Sequence, residues 1–74
     1  MNKVIAAKIE GNNITLLGRN GNCLGYAGSP GMTAGEQWVG AVVNGNILTG
    51  TTSRGAVVIW ELREGSTPVI VGRR

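Results

Sequence analysis

Apolar residues along this chain occur in runs of four to six that are broken by Gly and Asn, without helical spacing. Short apolar runs bounded by turn residues are typical of β-strands. The pattern therefore predicts an all-β chain with one extended loop at 27–35. The predicted strands span 3–9, 13–18, 22–27, 37–43, 46–52, 56–62 and 67–72.

Two Asn-Gly dipeptides, Asn20-Gly21 and Asn44-Gly45, interrupt the predicted strands. Asn-Gly favours a two-residue hairpin of type I′, because both central residues of that turn need positive φ. We therefore expect a type I′ hairpin at each dipeptide.

The sequence resembles itself at a 34-residue interval, at which predicted turns fall on turns and apolar strands on apolar strands. Self-similarity at a fixed interval is typical of a duplicated structural unit. We therefore expect a single domain over 1–74, made of two 34-residue repeats at about 1–34 and 35–68 and a C-terminal strand. The identical pairs are Ala7/Ala41, Gly11/Gly45, Asn12/Asn46, Thr15/Thr49, Gly21/Gly55, Gly31/Gly65 and Thr33/Thr67.

Residues 47–62 run as a strand, a small-residue turn and an apolar strand that ends in Trp60-Glu61. This order resembles a blade of a WD40-type β-propeller, in which the apolar strand ends in Trp-Asp. Residues 14–26 resemble the same pattern faintly. The resemblance implies a blade-like antiparallel meander in each repeat. Because Glu61 stands where the family has Asp and the chain contains no His, the His/Asp hydrogen-bond network of the family is not expected.

The segments 38–43 and 56–60 are apolar on both faces of the predicted strands. Such strands are expected in a sheet that is covered on both sides. Propellers typically have four to eight blades, so two blades per chain predict a homo-oligomer. A trimer with six blades is favoured over a dimer with four or a tetramer with eight. The alternative fold is a single small SH3-like barrel.

The charged residues offer little chemistry for catalysis. The 74 residues include seven Lys or Arg and four Glu, with a net charge of +3, and contain neither His nor Asp. This inventory excludes the usual catalytic triad and the common zinc sites. We therefore expect no enzymatic activity, no cofactor and no metal.

Three side chains that could carry chemistry are expected in the core instead. Cys23 is the only cysteine and aligns with Val57 at the 34-residue interval. A free cysteine in such a segment most often behaves as a small buried hydrophobe. Tyr26 and Trp60 are also equivalent at this interval, and we expect both between the blades.

Five residues form a candidate ligand-binding rim. In a four-stranded meander, the turn between the second and third strands and the loop that enters the first strand lie on the same rim. Guanidinium groups suit carboxylates and phosphates, and a Trp at the mouth of a strand would stack a sugar or a base. The alternative is that the arginines only solvate the turns. The candidates are Arg19, Asn20, Gln37, Trp38 and Arg54.

These observations predict a non-catalytic binding or scaffold module that presents a basic rim to an anionic small molecule, a glycan or a protein. One alternative is a structural or decoration subunit of a virus or another large assembly. Another is a small nucleic-acid-binding barrel, which the aromatic content of 4% and the lack of a basic stripe disfavour. We expect no membrane partner and a cytoplasmic location, with the virion as the alternative, because no signal peptide or membrane span is recognisable.

Overall fold

The computed structural model describes residues 3–28, 34–63 and 67–74, which form strands and turns without a helix. The strands are β1 Ala6–Glu10, β2 Asn13–Leu17, β3 Cys23–Ala27, β4 Trp38–Asn44, β5 Ile47–Thr52, β6 Val57–Glu61 and β7 Val69–Arg73. They form two antiparallel sheets, a first sheet ordered β1-β2-β3 and a second ordered β4-β5-β6-β7. The predicted all-β class is confirmed. The predicted loop lies in part at 29–33, outside the described residues.

The hairpin turns differ from the predicted type. The β4–β5 turn is formed by Gly45-Asn46, because Asn44 still belongs to β4 and pairs with Ile47. Gly45 has a φ of 62°, and among the described residues only glycines have positive φ. Positive φ at the first central residue alone is the pattern of a type II′ turn, for which Gly has no steric cost. The prediction of type I′ hairpins is therefore wrong, at Asn20-Gly21 as well.

The local geometry recurs at the 34-residue interval. When 34 is added to the residue numbers of β1, β2 and β3, the resulting ranges fall within β4, β5 and β6, respectively. The Gly18 N–H donates to the Asn22 carbonyl at 2.9 Å, and at the equivalent positions the Thr52 N–H donates to the Ala56 carbonyl at 2.9 Å. Corresponding segments of the chain thus fold alike, whereas the duplication itself stays a prediction.

The core lies between the two sheets and is built from corresponding faces of each. Ile14 on β2 and Leu48 on β5, which are equivalent at the 34-residue interval, are both 0% exposed. Their strand partners Ile9 and Val43, which are also equivalent to each other, pack against the same cluster. The two sheets therefore contact each other through equivalent faces.

A side-chain hydrogen bond joins the two sheets. The Trp38 indole Nε1–H donates to the Asn12 carbonyl at 3.0 Å, so the beginning of β4 lies beside the turn between β1 and β2.

Side chains of both sheets converge on Gly50 of β5. A Cβ atom at this position would lie 2.8 Å from Trp38 Cζ3, 3.0 Å from Ile14 Cδ1 and 3.0 Å from Trp60 Cζ3. The two indole rings are 5.4 Å apart between centroids and tilted by 58°, within the range of favourable edge-to-face pairs. Only glycine leaves room for this cluster.

A β-bulge gives the equivalent residues Tyr26 and Trp60 opposite orientations. The pairing of β2 with β3 shifts between Leu16 and Leu17, and a shift by one residue turns every following side chain to the other face of a strand. Trp60 is 2% exposed in the core, as predicted, whereas Tyr26 is 57% exposed. The prediction that Tyr26 is buried is wrong for this reason.

We expect Trp60→Ala to lower the free energy of unfolding by about 3–5 kcal/mol, because it removes the largest fully buried side chain. Tyr26→Ala is the matched control, since it makes a comparable truncation at the equivalent position on the exposed face. Its effect should stay below about 1 kcal/mol. Urea denaturation of the three proteins measures both values. Equal losses of unfolding free energy in the two variants would contradict the opposite orientations of Trp60 and Tyr26.

Candidate functional site

Part of the predicted rim comes together at one end of the second sheet. The Ser53 N–H donates to the Gln37 carbonyl at 2.7 Å, and the Gln37 N–H donates to Ser53 Oγ at 3.1 Å. These two bonds join the β5–β6 turn to the segment that enters β4. Arg54 lies in that turn and is exposed. Gln37 and Arg54 therefore occupy the same end of the molecule.

Trp38 belongs to the core in the structure. Its side chain is 4% exposed and packs against Trp60. Its indole N–H is already bonded to the Asn12 carbonyl. The ring that the sequence suggested as a stacking platform thus contributes to holding the two sheets together.

Arg19 and Asn20 lie at the other end of the molecule. They are exposed in the β2–β3 turn, whereas Trp38 contacts the β1–β2 turn at the opposite end of β2. The five residues of β2 separate the two turns, which corresponds to about 17 Å at the usual rise of a strand. Within one chain, Arg19 and Arg54 do not share a rim.

The outer side of the first sheet carries a polar cluster that sequence reasoning missed. Thr15 on β2 is 3% exposed, and its hydroxyl donates to Glu10 Oε1 at 2.6 Å. Thr15 pairs with Lys8 on one side and with Tyr26 on the other, so all three side chains share this face. The bulge adds Tyr26 to this face. Strand alternation around Lys8 and Glu10 is the one signal in the sequence that indicates this polar face.

Cys23 is exposed at the start of β3, contrary to the prediction that it is buried. The equivalent residue Val57 is flanked by β7, because Val57 and Arg74 exchange two backbone hydrogen bonds of 3.0 and 2.7 Å. No strand in the described part of the chain flanks β3 in the same way. The Cys23 thiol instead faces the Gly25 carbonyl, 3.8 Å away.

The neighbours of the Tyr26 phenol make its ionisation harder. A hydrogen bond with the Cys23 side chain raises the pKa of Tyr26 above its ordinary value of 10.0, and the electrostatic effects of Cys23 and Glu10 act in the same direction. The phenolate is disfavoured because a neighbouring anion repels it. The cluster can therefore offer a phenol donor, a thiol and a carboxylate to a polar partner. In the described ranges, no three His, Cys, Asp or Glu side chains are arranged to hold a metal ion.

The outer side of the second sheet is mostly apolar, with Asn44, Glu61 and Arg74 towards the ends of its strands. We use the name apolar face for Val42, Ile47, Thr49, Val57, Ile59 and Val69, which the strand registers place on this side. Val42 is 64% and Val69 is 40% exposed. Val39 and Val71, at the register shifts of β4 and β7, are a further 62% and 55% exposed. The two outer sides of the molecule thus differ strongly in polarity.

The chain matches no family model, no curated protein and no solved structure. In the residues that the structure describes, no helix has the length and apolar character that a membrane span requires. The functional argument therefore rests on the surfaces of the molecule itself.

We expect the single tyrosine to titrate above pH 10, and Cys23→Ala to lower its midpoint towards 10.0 by removing the largest cause of the shift. Any contribution of the raised pKa to folding is present below pH 10 and is lost as the pH rises through the folded-state pKa. Ultraviolet difference absorbance of tyrosinate measures the midpoint. Glu10→Gln is the control and should lower the midpoint less, because Glu10 contributes least to the shift. An unchanged midpoint in Cys23→Ala would contradict the assignment of the shift to the Cys23 hydrogen bond.

Proposed function

We propose that this chain is a non-catalytic scaffold module that works as a symmetric homo-oligomer. The observation that carries the proposal is the apolar face, on which Val42 is 64% exposed. The largest apolar patch on a soluble protein is often an interaction site. The interior is small, since seven hydrophobic residues form the buried core within 3–28, 34–63 and 67–74. Assembly is a common source of stability for chains of this size.

The polar ends of the molecule are the second part of the proposal. Each end carries an arginine in a tight turn, Arg19 at one end and Arg54 at the other, and the chain has a net charge of +3. In a symmetric assembly these turns are repeated, and guanidinium groups bind carboxylates and phosphates well. We propose that an anionic ligand or protein partner contacts these ends, with Gln37 and Asn20 as neighbouring polar groups.

The six-bladed trimeric propeller is the arrangement that the sequence predicts, and it belongs to this proposal as one form of the oligomer. Radial repetition brings one face of each blade against the opposite face of the next blade. In the described residues, Ile14 and Leu48 instead meet from equivalent faces of the two sheets. This favours a layered assembly over a ring as the form of the scaffold.

A structural subunit of a larger assembly, viral or otherwise, is the second candidate, because the apolar face would serve it equally. Nucleic-acid binding receives less support. Arg19 and Arg54 lie at opposite ends rather than along one stripe, and a continuous basic stripe is the usual electrostatic footprint for nucleic acid. Retention of the native partner by the oligomer distinguishes a binding scaffold from a purely structural subunit.

Light scattering coupled to size exclusion tests the proposal. We expect a folded species with a whole-number multiple of the 7.7 kDa chain mass, about 15 kDa for a dimer or about 23 kDa for a trimer. Measurements at several protein concentrations and salt concentrations separate apolar association from charge-driven aggregation. A folded 7.7 kDa monomer at every concentration would contradict the proposal.

A further inference from the structure

The apolar face is continuous across the strands of the second sheet. Val42, Thr49 and Ile59 pair in one row across β4, β5 and β6, and Gly72 of β7 pairs with Ile59 at the end of that row. Short and larger side chains alternate along this row, because Thr49 lies between Val42 and Ile59 and Gly72 has no side chain. Such a surface allows the side chains of a facing sheet to interdigitate with it.

The charged side chains on this side lie at the ends of the strands and not at the centre of the apolar face. Among the described residues, the strand pairings place Glu61, opposite Val69, and Arg74, opposite Val57, on this side. The Glu61 carboxylate forms an ion pair with Arg63 Nε at 2.6 Å, and the Glu61 side chain is 34% exposed. The row through Thr49 carries no charge, so two copies of this face can meet at their centres without like-charge repulsion.

The opposite outer face would be a poor cover for the apolar face. It carries Lys8 and Glu10, together with the outward Tyr26. Burying these charged groups against valine and isoleucine would cost desolvation energy that no partner on the apolar face compensates. A ring or filament would bring the charged face of one copy against the apolar face of the next, and this desolvation cost disfavours that contact. Contact between two apolar faces does not bury Lys8 and Glu10.

Resting on the proposed self-association, we infer that the apolar face docks onto the same face of a second copy of the chain across a two-fold axis. The product is a closed dimer of four layers, with the two second sheets inside and the two charged first sheets outside. An interface made of the same patch on both copies is self-limiting. The charged outer layers then keep the dimer from associating further.

The size of the face sets the expected strength of the dimer. Four strands at about 4.8 Å spacing and of about 20 Å length cover a footprint of roughly 400 Å². A standard interface buries about 800 Å² on each partner. We therefore expect a reversible dimer, whose average mass rises with concentration towards twice 7.7 kDa.

Charge substitutions at the centre of the face test the dimer. Thr49→Lys and Thr49→Glu each place two like charges close to the two-fold axis, and each should weaken dimerisation about tenfold or more. Mixing the two variants should restore a dimer, because opposite charges then face each other. Lys8→Glu is the control of comparable charge on the other outer face, and it should leave dimerisation unchanged. Sedimentation equilibrium measures all four samples.

Tryptophan fluorescence verifies that each variant is folded, since Trp38 and Trp60 lie in the core. If Thr49→Lys does not fold, Val42→Lys replaces it, because Val42 is 64% exposed and a lysine there needs no repacking. A native oligomer that persists unchanged in both lysine variants would overturn the assignment of the apolar face but leave self-association intact. Loss of the oligomer in Lys8→Glu alone would also overturn it. A native monomer would overturn both proposals.

Discussion

The close approach of the two sheets at Gly50 is the constraint on which the rest of the structure depends. Two indole rings and the Ile14 side chain converge on the position that a Cβ atom would occupy, at 2.8 to 3.0 Å. These groups come from both sheets, so their contact sets how closely the two sheets lie at this point. The hydrogen bond from Trp38 to the Asn12 carbonyl holds the same indole in place.

This packing decides which surfaces remain for function. Because equivalent faces of the two halves meet in the core, the opposite faces of both sheets point outward. The bulge after Leu16 then makes the outer faces different, since it turns Tyr26 into the polar cluster of the first sheet. The second sheet keeps its regular register through β5 and β6 and exposes valine and isoleucine. The charged side thus owes its charge to Lys8 and Glu10 on β1 and its outward phenol to the irregularity in pairing.

The sequence predicted the strands well and the placement of side chains less well. The seven strands are recognisable because turn-forming or charged residues separate the apolar runs, and all seven predicted spans overlap the observed ones. The turn type was missed because Asn44-Gly45-Asn46 contains both an Asn-Gly and a Gly-Asn dipeptide, and strand pairing selects the second. Tyr26 is exposed because the pairing of β2 with β3 shifts by one residue, and Cys23 is exposed because no further strand pairs with β3 among the described residues. Local composition encodes neither feature. The burial of Trp38 depends on contacts between distant strands in the same way.

The most direct test of this account is the free energy of unfolding of Gly50→Ala relative to Gly40→Ala. Both glycines lie in strands of the second sheet, but a Cβ at Gly40 would meet only Thr51, at 3.9 Å. The account predicts that Gly50→Ala destabilises the protein by about 1–3 kcal/mol, as overpacking of a core does. Gly40→Ala should be neutral or stabilising by up to about 1 kcal/mol. Equal effects of the two substitutions would contradict the claim that the two sheets meet at Gly50.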